Sequence, residues 1–233
     1  MSTIGIIGAM EIEVEALKKH MKVRRTVQKA GMEFCEGVLS GHEAVVVRSG
    51  IGKVNAAICA HILINDFHAD AVLNTGVAGS LKNEINIGDI VISTDLLYHD
   101  MDATGFGYAP GKIPQMDVDT FQADERLCEL AEKACKEANP DIQVFHGRIV
   151  SGDQFVSSRE VKDRISKLFD AFCTEMEGAA IAHAAWLNKT SFVVLRAISD
   201  KADDSASMDY DVFERQAAEN SVRLVEKLLE LDL

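Results

Sequence analysis

The chain has 233 residues, of which 47% are hydrophobic and 26% are charged, and its formal net charge is −13 at pH 7. This length and composition predict one globular domain, residues 1–233, with a substantial apolar core. The negative charge argues against nucleic acid or an anionic membrane as the main partner, because both require a basic surface.

Strand-like and helix-like segments alternate along the chain, which predicts an α/β fold with helices on the faces of a sheet. The predicted strands are Thr3–Gly8, Phe34–Leu39, Ala44–Ser49, Asp70–Val77, Asp89–Leu97, Phe145–Ser151 and Phe192–Asp200. The predicted helices are a first one with Val14, Leu17 and Met21 on one face, then Lys53–Asn65, Ala123–Ala138, Arg159–Phe169, Gly178–Leu187 and Tyr210–Leu231. The early pair of strands forms a hairpin, so we expect a mixed sheet.

The segment Tyr98–Thr120 has no clean period. A loop of this length in a compact domain is usually functional, so it is predicted to be a lid or an interface. Its His99, Asp100 and Asp102 could suggest a metal site, but they lack the further ligands and spacing of a recognised one. We therefore predict no metal.

The run Phe192–Asp200 is apolar until it ends in Arg196, Ser199 and Asp200. Ligands of such sheets bind beyond the carboxyl ends of the strands, and burial there raises the pKa of an aspartate. Asp200 is therefore a candidate proton donor. A cap on the following loop is the alternative that the run alone leaves open.

Glycine-bearing turns follow several predicted strands, where glycine lets the backbone approach a ligand closely. They are Gly8–Met10, Ser49–Lys53, Thr75–Gly79 and Ser151–Asp153. The second is not a phosphate loop, because Val47 and Val54 stand where that motif needs glycine and Ser or Thr. The dinucleotide-binding glycine pattern is also missing after the first strand, so neither ATP nor NAD is predicted.

Carboxylates gather near the same turns. The residues concerned are Glu11, Glu13 and Glu15 in the first helix, and Glu175 and Glu177 on either side of Met176. Glu11 and Glu15 share one side of the helix and are interpreted as a solvated first turn. Glu13 points differently, and its role is open on spacing alone. Glu177 precedes a helix start, so a charge at a helix N-terminus remains an alternative for it.

Seven segments together carry a resemblance to a known family. They are Gly5–Glu13, Ser49–Ala56, Asn74–Gly79, Tyr98–Asp100, Val150–Phe155, Glu175–Glu177 and Arg196–Asp200. In this order and spacing, from Ile4 to the final helix, the chain resembles the 5′-methylthioadenosine/S-adenosylhomocysteine nucleosidases. The resemblance implies a three-layer, phosphorylase-like fold with a mixed twisted sheet, a homodimer, and no cofactor. It also implies hydrolysis of methylthioadenosine and adenosylhomocysteine, and of 5′-deoxyadenosine, to adenine and the (thio)ribose.

By the same resemblance, Asp200 donates a proton to adenine N7 and Glu13 is the base for water, a division of roles that hydrolysis through an oxocarbenium-like ribose requires. The resemblance implies that the ribose is bound by Glu177, at its hydroxyls, and by Met176, and that adenine is bound by the Phe155 ring and, at the purine edge, by the Val156 backbone. It implies that Ser199 orients Asp200, that Arg196 lies near the water and the ribose, and that Met10, Ile51, Val77 and Gly79 line the site. The alkylthio group would be bound by Tyr210 and Phe213, together with Ala103 and Phe106 from the partner chain. Core packing remains an alternative for Met10, Ile51 and Met176.

Three positions depart from the family pattern. Val77 stands where serine is common, and the loss of one such hydrogen bond costs about 1 kcal/mol. Tyr210 stands where phenylalanine is frequent, and Ala103 where valine is frequent. Both border the implied alkylthio pocket, so the preference between the methylthio and homocysteinyl substrates is open.

Three alternative functions remain. A phosphorylase of the same fold needs cations around phosphate, and the acidic turn Met10–Glu13 disfavours it. A hydrolase of another purine nucleoside such as futalosine is the closest alternative. A non-catalytic nucleoside-binding protein would have no need of both Glu13 and Asp200.

The cysteines and the N-terminus predict a cytoplasmic protein. The five cysteines are odd in number and contain no C-x-x-C pair, which suits a reducing compartment. Met1–Gly8 lacks a basic leader region, and no apolar run approaches a membrane span. Methionine salvage, within amino-acid biosynthesis, is the pathway that the resemblance implies.

Overall fold

The computed structural model describes residues 2–231. Its strands are β1 Thr3–Gly8, β2 Lys22–Lys29, β3 Met32–Leu39, β4 His42–Arg48, β5 Ala69–Ser80, β6 Ile90–Tyr98, β7 Phe121–Gln122, β8 Val144–Ser151, β9 Cys173–Glu175 and β10 Ser191–Asp200. Its α-helices are α1 Glu11–His20, α2 Lys53–Asp66, α3 Glu125–Ala138, α4 Arg159–Phe169, α5 Gly178–Asn188 and α6 Ala206–Leu228. Each predicted strand and helix is confirmed, with ends that differ by a few residues.

The sheet is mixed, as predicted, and part of it closes on itself. Strand β5 pairs in parallel with β1 and β10, and its last two residues pair with β9. Strand β10 runs antiparallel to β6, and β6 is followed by β8 and β9 in parallel. Strands β5, β10, β6, β8 and β9 therefore form a closed ring, from which β1, β4, β3 and β2 extend to an open edge.

Helices cover both faces of the sheet, which confirms the three-layer architecture. One core cluster joins α2 and α5 to the sheet through residues such as Leu63 and Ile181. The other joins α1, α3 and α6 through residues such as Leu17 and Leu224. Full burial of each such side chain stabilises the fold by roughly 1.5–3 kcal/mol. Within residues 2–231, no helix is both long enough and apolar enough to cross a membrane.

Strands β2, β7 and β9 were not predicted from the sequence. Most positions of β2 are polar or charged, and almost all of its side chains are exposed, so it lacks the alternation that marks a half-buried strand. It is an edge strand that pairs with β3, and its lysines and arginines are typical of protected edges. Strands β7 and β9 have two and three residues, too few for any pattern.

The segment between β6 and β7 is irregular, as its sequence predicts. It contains one 3₁₀ turn, Thr104–Phe106, and the Phe106 side chain is 87% exposed. A hydrogen bond from the Gly111 N–H to the Met101 carbonyl holds the base of the segment together at 3.0 Å. All five cysteines of the chain are buried free thiols.

Candidate active site

A cavity of about 370 Å³ opens where strands β1, β4, β5, β8, β9 and β10 end. Its lining consists of Ala9, Met10, Glu13, Ile51, Val77, Ala78, Gly79, Phe155, Thr174, Glu175, Met176, Glu177, Ser199, Asp200 and Tyr210. The carboxyl ends of parallel strands meet at one edge of a sheet, which is why segments so distant in sequence come together here. Most of the residues singled out from the sequence line this cavity.

Asp200 ends β10 with its carboxyl group buried at the cavity. The Ser199 hydroxyl donates to Oδ2 at 2.9 Å, and the Ala202 N–H donates to Oδ1 at 2.8 Å. Burial raises the pKa of Asp200, an effect that these two hydrogen bonds oppose and that the charges of Asp209 and Asp203 reinforce. The carboxyl group thus caps the following turn and is also suited to carrying a proton.

Glu13 lies in the first turns of α1, and its side chain turns back to the end of β1. Its Oε2 accepts the N–H groups of Ala9 at 2.7 Å and Met10 at 2.9 Å, and its Oε1 accepts the Val77 N–H at 3.1 Å. Burial raises the pKa of Glu13, against the charge of Arg196 and the three N–H donors. The Val77 position therefore contributes a backbone contact without the serine hydroxyl.

Glu11 and Glu15 lie on the solvated side of α1, as predicted. Glu11 pairs with Lys18 at 3.1 Å, and Glu15 pairs with Lys19 at 2.8 Å. The three carboxylates of one helix therefore divide into two surface ion pairs and one buried group, because the helical period turns Glu13 away from its neighbours.

Two glycines of β5 let these acids approach the strand. A methyl group on Gly76 would lie 2.6 Å from Oε1 of Glu13, and one on Gly79 would lie 2.7 Å from Oδ1 of Asp200. Both distances are far below van der Waals contact, so a larger residue at either position displaces the carboxyl group. The prediction of a turn at Thr75–Gly79 is wrong, because these residues continue β5, and the glycines make room there for carboxyl groups of the protein itself.

Glu177 immediately precedes α5 and is buried. Its Oε1 accepts the Gly52 N–H at 2.8 Å, which joins the turn after β4 to the start of α5. Burial and then the nearby charge of Glu175 raise the pKa of Glu177 to about 8, although Arg196 and the Gly52 N–H act in the opposite direction. Its environment therefore favours a neutral carboxyl group until hydrogen-bond donors reach it.

Arg196 and Glu175 form a buried ion pair behind the cavity wall. The guanidinium Nη2 contacts Oε2 of Glu175 and donates to Oδ1 of Asn74 at 2.6 Å. Arg196 is 2% exposed and does not itself line the cavity, although its charge acts on Glu13. Burial raises the pKa of Glu175, but Arg196 and the Ser151 hydroxyl outweigh it, so the net shift is downward and Glu175 stays ionised.

The remaining end of the cavity is apolar. The Tyr210 hydroxyl donates to Oε1 of Glu214 at 2.8 Å and lies 3.3 Å from Sδ of Met10. The Phe155 ring meets the Tyr210 ring edge to face, with centroids 5.7 Å apart. Ile51 and Phe155 are exposed, so this end opens to solvent.

Four further predicted residues lie outside the cavity lining. The Val156 side chain packs in the core with residues such as Leu81 and Ala202. Phe213 is half-buried on α6. Ala103 and Phe106 lie in the irregular segment. His99, Asp100 and Asp102 of that segment do not assemble into a possible metal site, and neither does any other group in the described part of the chain.

Four residues that line the cavity have no site role predicted from the sequence, namely Ala9, Ala78, Thr174 and Glu175, of which only Glu175 was noted, as one of the carboxylates. Ala9 and Ala78 stand inside glycine-bearing segments that the sequence predicts as turns, although Ala78 lies in β5, so position within those segments was the available signal. Thr174 and Glu175 belong to β9, which has no sequence pattern of its own. The Oγ1 atom of Thr174 is buried without a hydrogen-bond partner in the described structure.

The chain is similar to known proteins over almost its whole length. Residues 3–230 match the model of the phosphorylase superfamily. A 5′-methylthioadenosine/S-adenosylhomocysteine nucleosidase of Staphylococcus aureus (strain JH9) is 44% identical over 227 residues, which cover 97% of this chain and 98% of that protein.

Two solved structures are similar to this chain over almost its whole length. A nucleosidase of the same name from Neisseria meningitidis, in complex with methylthio-immucillin-A, has a TM-score of 0.94 and 42% identity, with 99% of both chains covered. The futalosine hydrolase of Helicobacter pylori has a TM-score of 0.93 and 34% identity, covering 98% of this chain and 97% of its own.

Proposed function

Because the chain belongs to the 5′-methylthioadenosine/S-adenosylhomocysteine nucleosidases of the phosphorylase superfamily, we propose that its cavity is the active site, with Asp200 as the acid and Glu13 as the base. The chain is an N-glycosyl hydrolase that cleaves methylthioadenosine and adenosylhomocysteine. The observation that supports the two roles is that both acids are buried at one cavity with different hydrogen-bond partners.

The environments of the two acids divide the roles between them. Glu13 accepts three backbone N–H groups and faces the charge of Arg196, which stabilises a carboxylate. Asp200 accepts one N–H and one hydroxyl, and the acidic residues near it oppose its ionisation. Burial raises the pKa of both carboxyl groups, but the nearby cation and N–H groups favour ionisation of Glu13, whereas nearby acids oppose ionisation of Asp200. Surroundings that differ in this way are the usual basis for an acid and a base in one site.

In the proposed reaction the bond between C1′ of the ribose and N9 of adenine breaks as Asp200 gives its proton to N7. A water molecule forms the new bond to C1′ and gives a proton to Glu13. Adenine and the thioribose leave, Asp200 regains a proton from solvent, and Glu13 loses one. The chemistry requires no cofactor, since proton transfers balance every bond that forms or breaks.

The rest of the cavity fits the remaining parts of the nucleoside. Glu177 accepts the ribose hydroxyls through charge-assisted hydrogen bonds. Met176 packs on the ribose, Phe155 stacks on adenine, and the Val156 backbone meets the purine edge. The apolar end with Met10, Ile51 and Tyr210 takes the alkylthio group, and Phe213 extends that end along α6. This arrangement would also accept 5′-deoxyadenosine, which lacks the thioether.

Water rather than phosphate is the nucleophile that the cavity favours. Its lining contains Glu13, Glu175, Glu177 and Asp200, and no lysine or arginine among the described residues that form it. The nearby guanidinium of Arg196 is already paired with Glu175 and Asn74. An incoming phosphate would meet negative charge without a free cation to bind it.

The deciding experiment is adenine release from methylthioadenosine by purified protein in phosphate-free buffer. We expect release at full rate without phosphate, and we expect Asp200→Asn to abolish turnover while the protein still binds a nucleoside analogue. Adenine that appears only after phosphate is added would identify a phosphorylase, and an unchanged rate in Asp200→Asn would remove the assigned acid.

Futalosine is the second candidate substrate, and the similarity to the Helicobacter pylori futalosine hydrolase is the observation that favours it. A competition assay with both nucleosides gives the ratio of kcat/KM values directly. We expect methylthioadenosine to be preferred, since the curated relative with the higher identity is a nucleosidase for that substrate.

The active form is proposed to be a homodimer of single-domain chains. Phe106 is 87% exposed in the irregular segment, and α2 exposes Val54 and Ile58. Large apolar side chains exposed in this way are candidates for burial at an interface. Ala103 and Phe106 would then complete the partner's alkylthio pocket. Sedimentation of the wild type and of Phe106→Ser tests this, because the sedimentation coefficient of a monomer would not change with that substitution.

We further propose a cytoplasmic role in methionine salvage.

A further inference from the structure

Three turns at the mouth of the cavity meet at Lys53, the first residue of α2. Its Nζ lies 2.6 Å from Oδ2 of Asp100, in the turn after β6, and 3.7 Å from Oδ2 of Asp153, in the turn after β8. It also lies 5.4 Å from the centroid of the Tyr98 ring. The amino group is therefore held by two carboxylates and one aromatic face.

Backbone groups take part in the same cluster. Oδ1 of Asp153 accepts the Lys53 N–H at 2.9 Å, and Oδ2 of Asp100 accepts the Asp153 N–H at 3.0 Å. The cluster of Lys53, Asp100 and Asp153 thus fixes the main chain of two turns as well as the side chains. Lys53 and Asp100 are about three-quarters buried, which shields their attraction from solvent.

The cluster is covalently next to groups that line the cavity. Gly52 precedes Lys53, has φ of 96°, and donates its N–H to Oε1 of Glu177 at 2.8 Å. A β-carbon on Gly52 would lie 3.2 Å from Oδ1 of Asp153, so the peptide sits tightly against the cluster. Phe155 follows Asp153 by two residues. Movement of the cluster would therefore move both the Glu177 hydrogen bond and Phe155.

We propose that Lys53 is a positioning residue that acts through Asp100 and Asp153. It holds the Gly52 N–H in its hydrogen bond to Glu177, and it holds Phe155 in place at the cavity mouth. This inference rests on the proposed function, in which Glu177 binds the ribose hydroxyls. Lys53 does not line the cavity. Its effect is to keep the ribose-binding carboxyl group oriented before the substrate arrives, and orientation of this kind is a large component of binding and rate.

The charges around Glu177 make the Gly52 N–H important. Glu175 from β9 and Glu13 from α1 oppose ionisation of Glu177, whereas Arg196 from β10 and the Gly52 N–H favour it. Lys53 controls only the last of these groups. Release of the Gly52 peptide would therefore raise the pKa of Glu177 further and move the pH dependence of kcat/KM to higher pH.

The test compares Lys53→Met with Lys82→Met. Lys82 is a matched control, because it also pairs with an aspartate, Asp170, lies 5.4 Å from the Phe172 ring, and is 25% exposed against 26% for Lys53. It does not line the cavity. For Lys53→Met we expect KM for methylthioadenosine to rise about tenfold, the size of one lost hydrogen bond to a charged group, with kcat changed much less. Lys53→Arg should restore most of the loss, and Lys82→Met should match the wild type.

Amide hydrogen exchange supplies a measurement that does not depend on catalysis. The amide of Gly52 should exchange faster in Lys53→Met than in the wild type or in Lys82→Met. Should Lys53→Met fail to fold, Asp153→Asn tests the same link, because it removes the charge and retains an acceptor. Unchanged KM, pH profile and Gly52 exchange would overturn the proposal. A wild type without nucleosidase activity would contradict the proposed function, while the exchange rates would still decide the role of Lys53.

Discussion

Arg196 lies buried among the carboxyl groups of Glu13, Glu175 and Glu177. Burial opposes its charge, but the attraction of these three carboxylates outweighs that cost and raises the pKa of Arg196 further. Its Nε has no hydrogen-bond partner within the described structure, so the guanidinium is held by its other two nitrogens. This buried cation therefore lowers the pKa of Glu13, Glu175 and Glu177 against the effect of burial, and for Glu175 the net shift is downward.

Arg196→Leu should destabilise the protein by about 3–5 kcal/mol, because it leaves Glu175 as an unpaired buried charge. Urea unfolding followed by circular dichroism measures this. Arg25→Leu is the control, since Arg25 is 62% exposed and pairs with Glu36 at the surface, where such pairs contribute little. Equal losses in the two variants would show that the buried pair has no special role.

Glu13 and Glu15 lie two positions apart on α1, and their substitution by glutamine separates the buried acid from the surface one. We expect Glu13→Gln to lower kcat by a factor of about 10²–10⁴, the usual contribution of a positioned general base. Glu15→Gln should stay within about twofold of the wild type, because its carboxylate pairs with Lys19 in solvent. Steady-state kinetics with methylthioadenosine give both values. A small effect of Glu13→Gln would mean that another group activates the water.

Strand β5 brings the two halves of the chemistry together. It pairs with β1, which leads to Glu13, and with β10, which ends in Asp200. Its own Gly76 and Gly79 lie beneath the two carboxyl groups. The strand therefore determines the distance between acid and base, and its glycines matter because of where neighbouring side chains lie.

Gly79→Ala should lower kcat/KM by roughly 10²-fold, since a displacement of about 1 Å in a reacting group has an effect of that size. The added methyl group would lie 2.7 Å from Oδ1 of Asp200 and 2.9 Å from Cβ of Ala202. Gly5→Ala is the comparison, because it crowds Leu63 in the core at 3.0 Å and leaves the cavity untouched. It should lower the unfolding temperature without a matching loss of activity.

The sequence predicts most of the fold and much of the site, for identifiable reasons. Apolar runs such as Phe192–Asp200 and periodic helices such as Arg159–Phe169 carry their structure in local pattern. Strand β2 does not, because its side chains are polar and exposed, and β9 is too short. The closed ring of strands, the Gly52–Glu177 hydrogen bond and the Arg196–Glu175 pair depend on contacts between distant segments, which no local pattern encodes.

The protein as a whole carries a negative charge, and several of its carboxyl groups are buried in the interior. Glu13, Glu177 and Asp200 all have a pKa raised above the ordinary value, chiefly through burial. Each of them binds a proton more tightly in the native state than in the unfolded state. Folding is therefore favoured by protonation of these groups, and the free energy of unfolding depends on pH.

Between pH 4.5 and about 8, native Glu177 keeps a proton that the unfolded chain releases. Its contribution to stability is complete below pH 4.5 and is lost as the pH rises to about 8, at a slope of up to about 1.4 kcal/mol per pH unit. Thermal unfolding from pH 5 to 8 should show a falling midpoint for the ligand-free wild type. Glu177→Gln should give a flatter curve, and an equally steep one would assign the dependence to other groups.

Among the described elements β10 is followed only by α6, yet it lies between β5 and β6. Glu13 follows the first strand and Asp200 ends the last one described, so the base is synthesised long before the acid. A nascent chain that stops before residue 191 leaves β5 and β6 with exposed edges, which favour aggregation. Truncations that end before residue 191 should therefore be insoluble as well as inactive, because they lack both the strand that covers these edges and the acid that it carries.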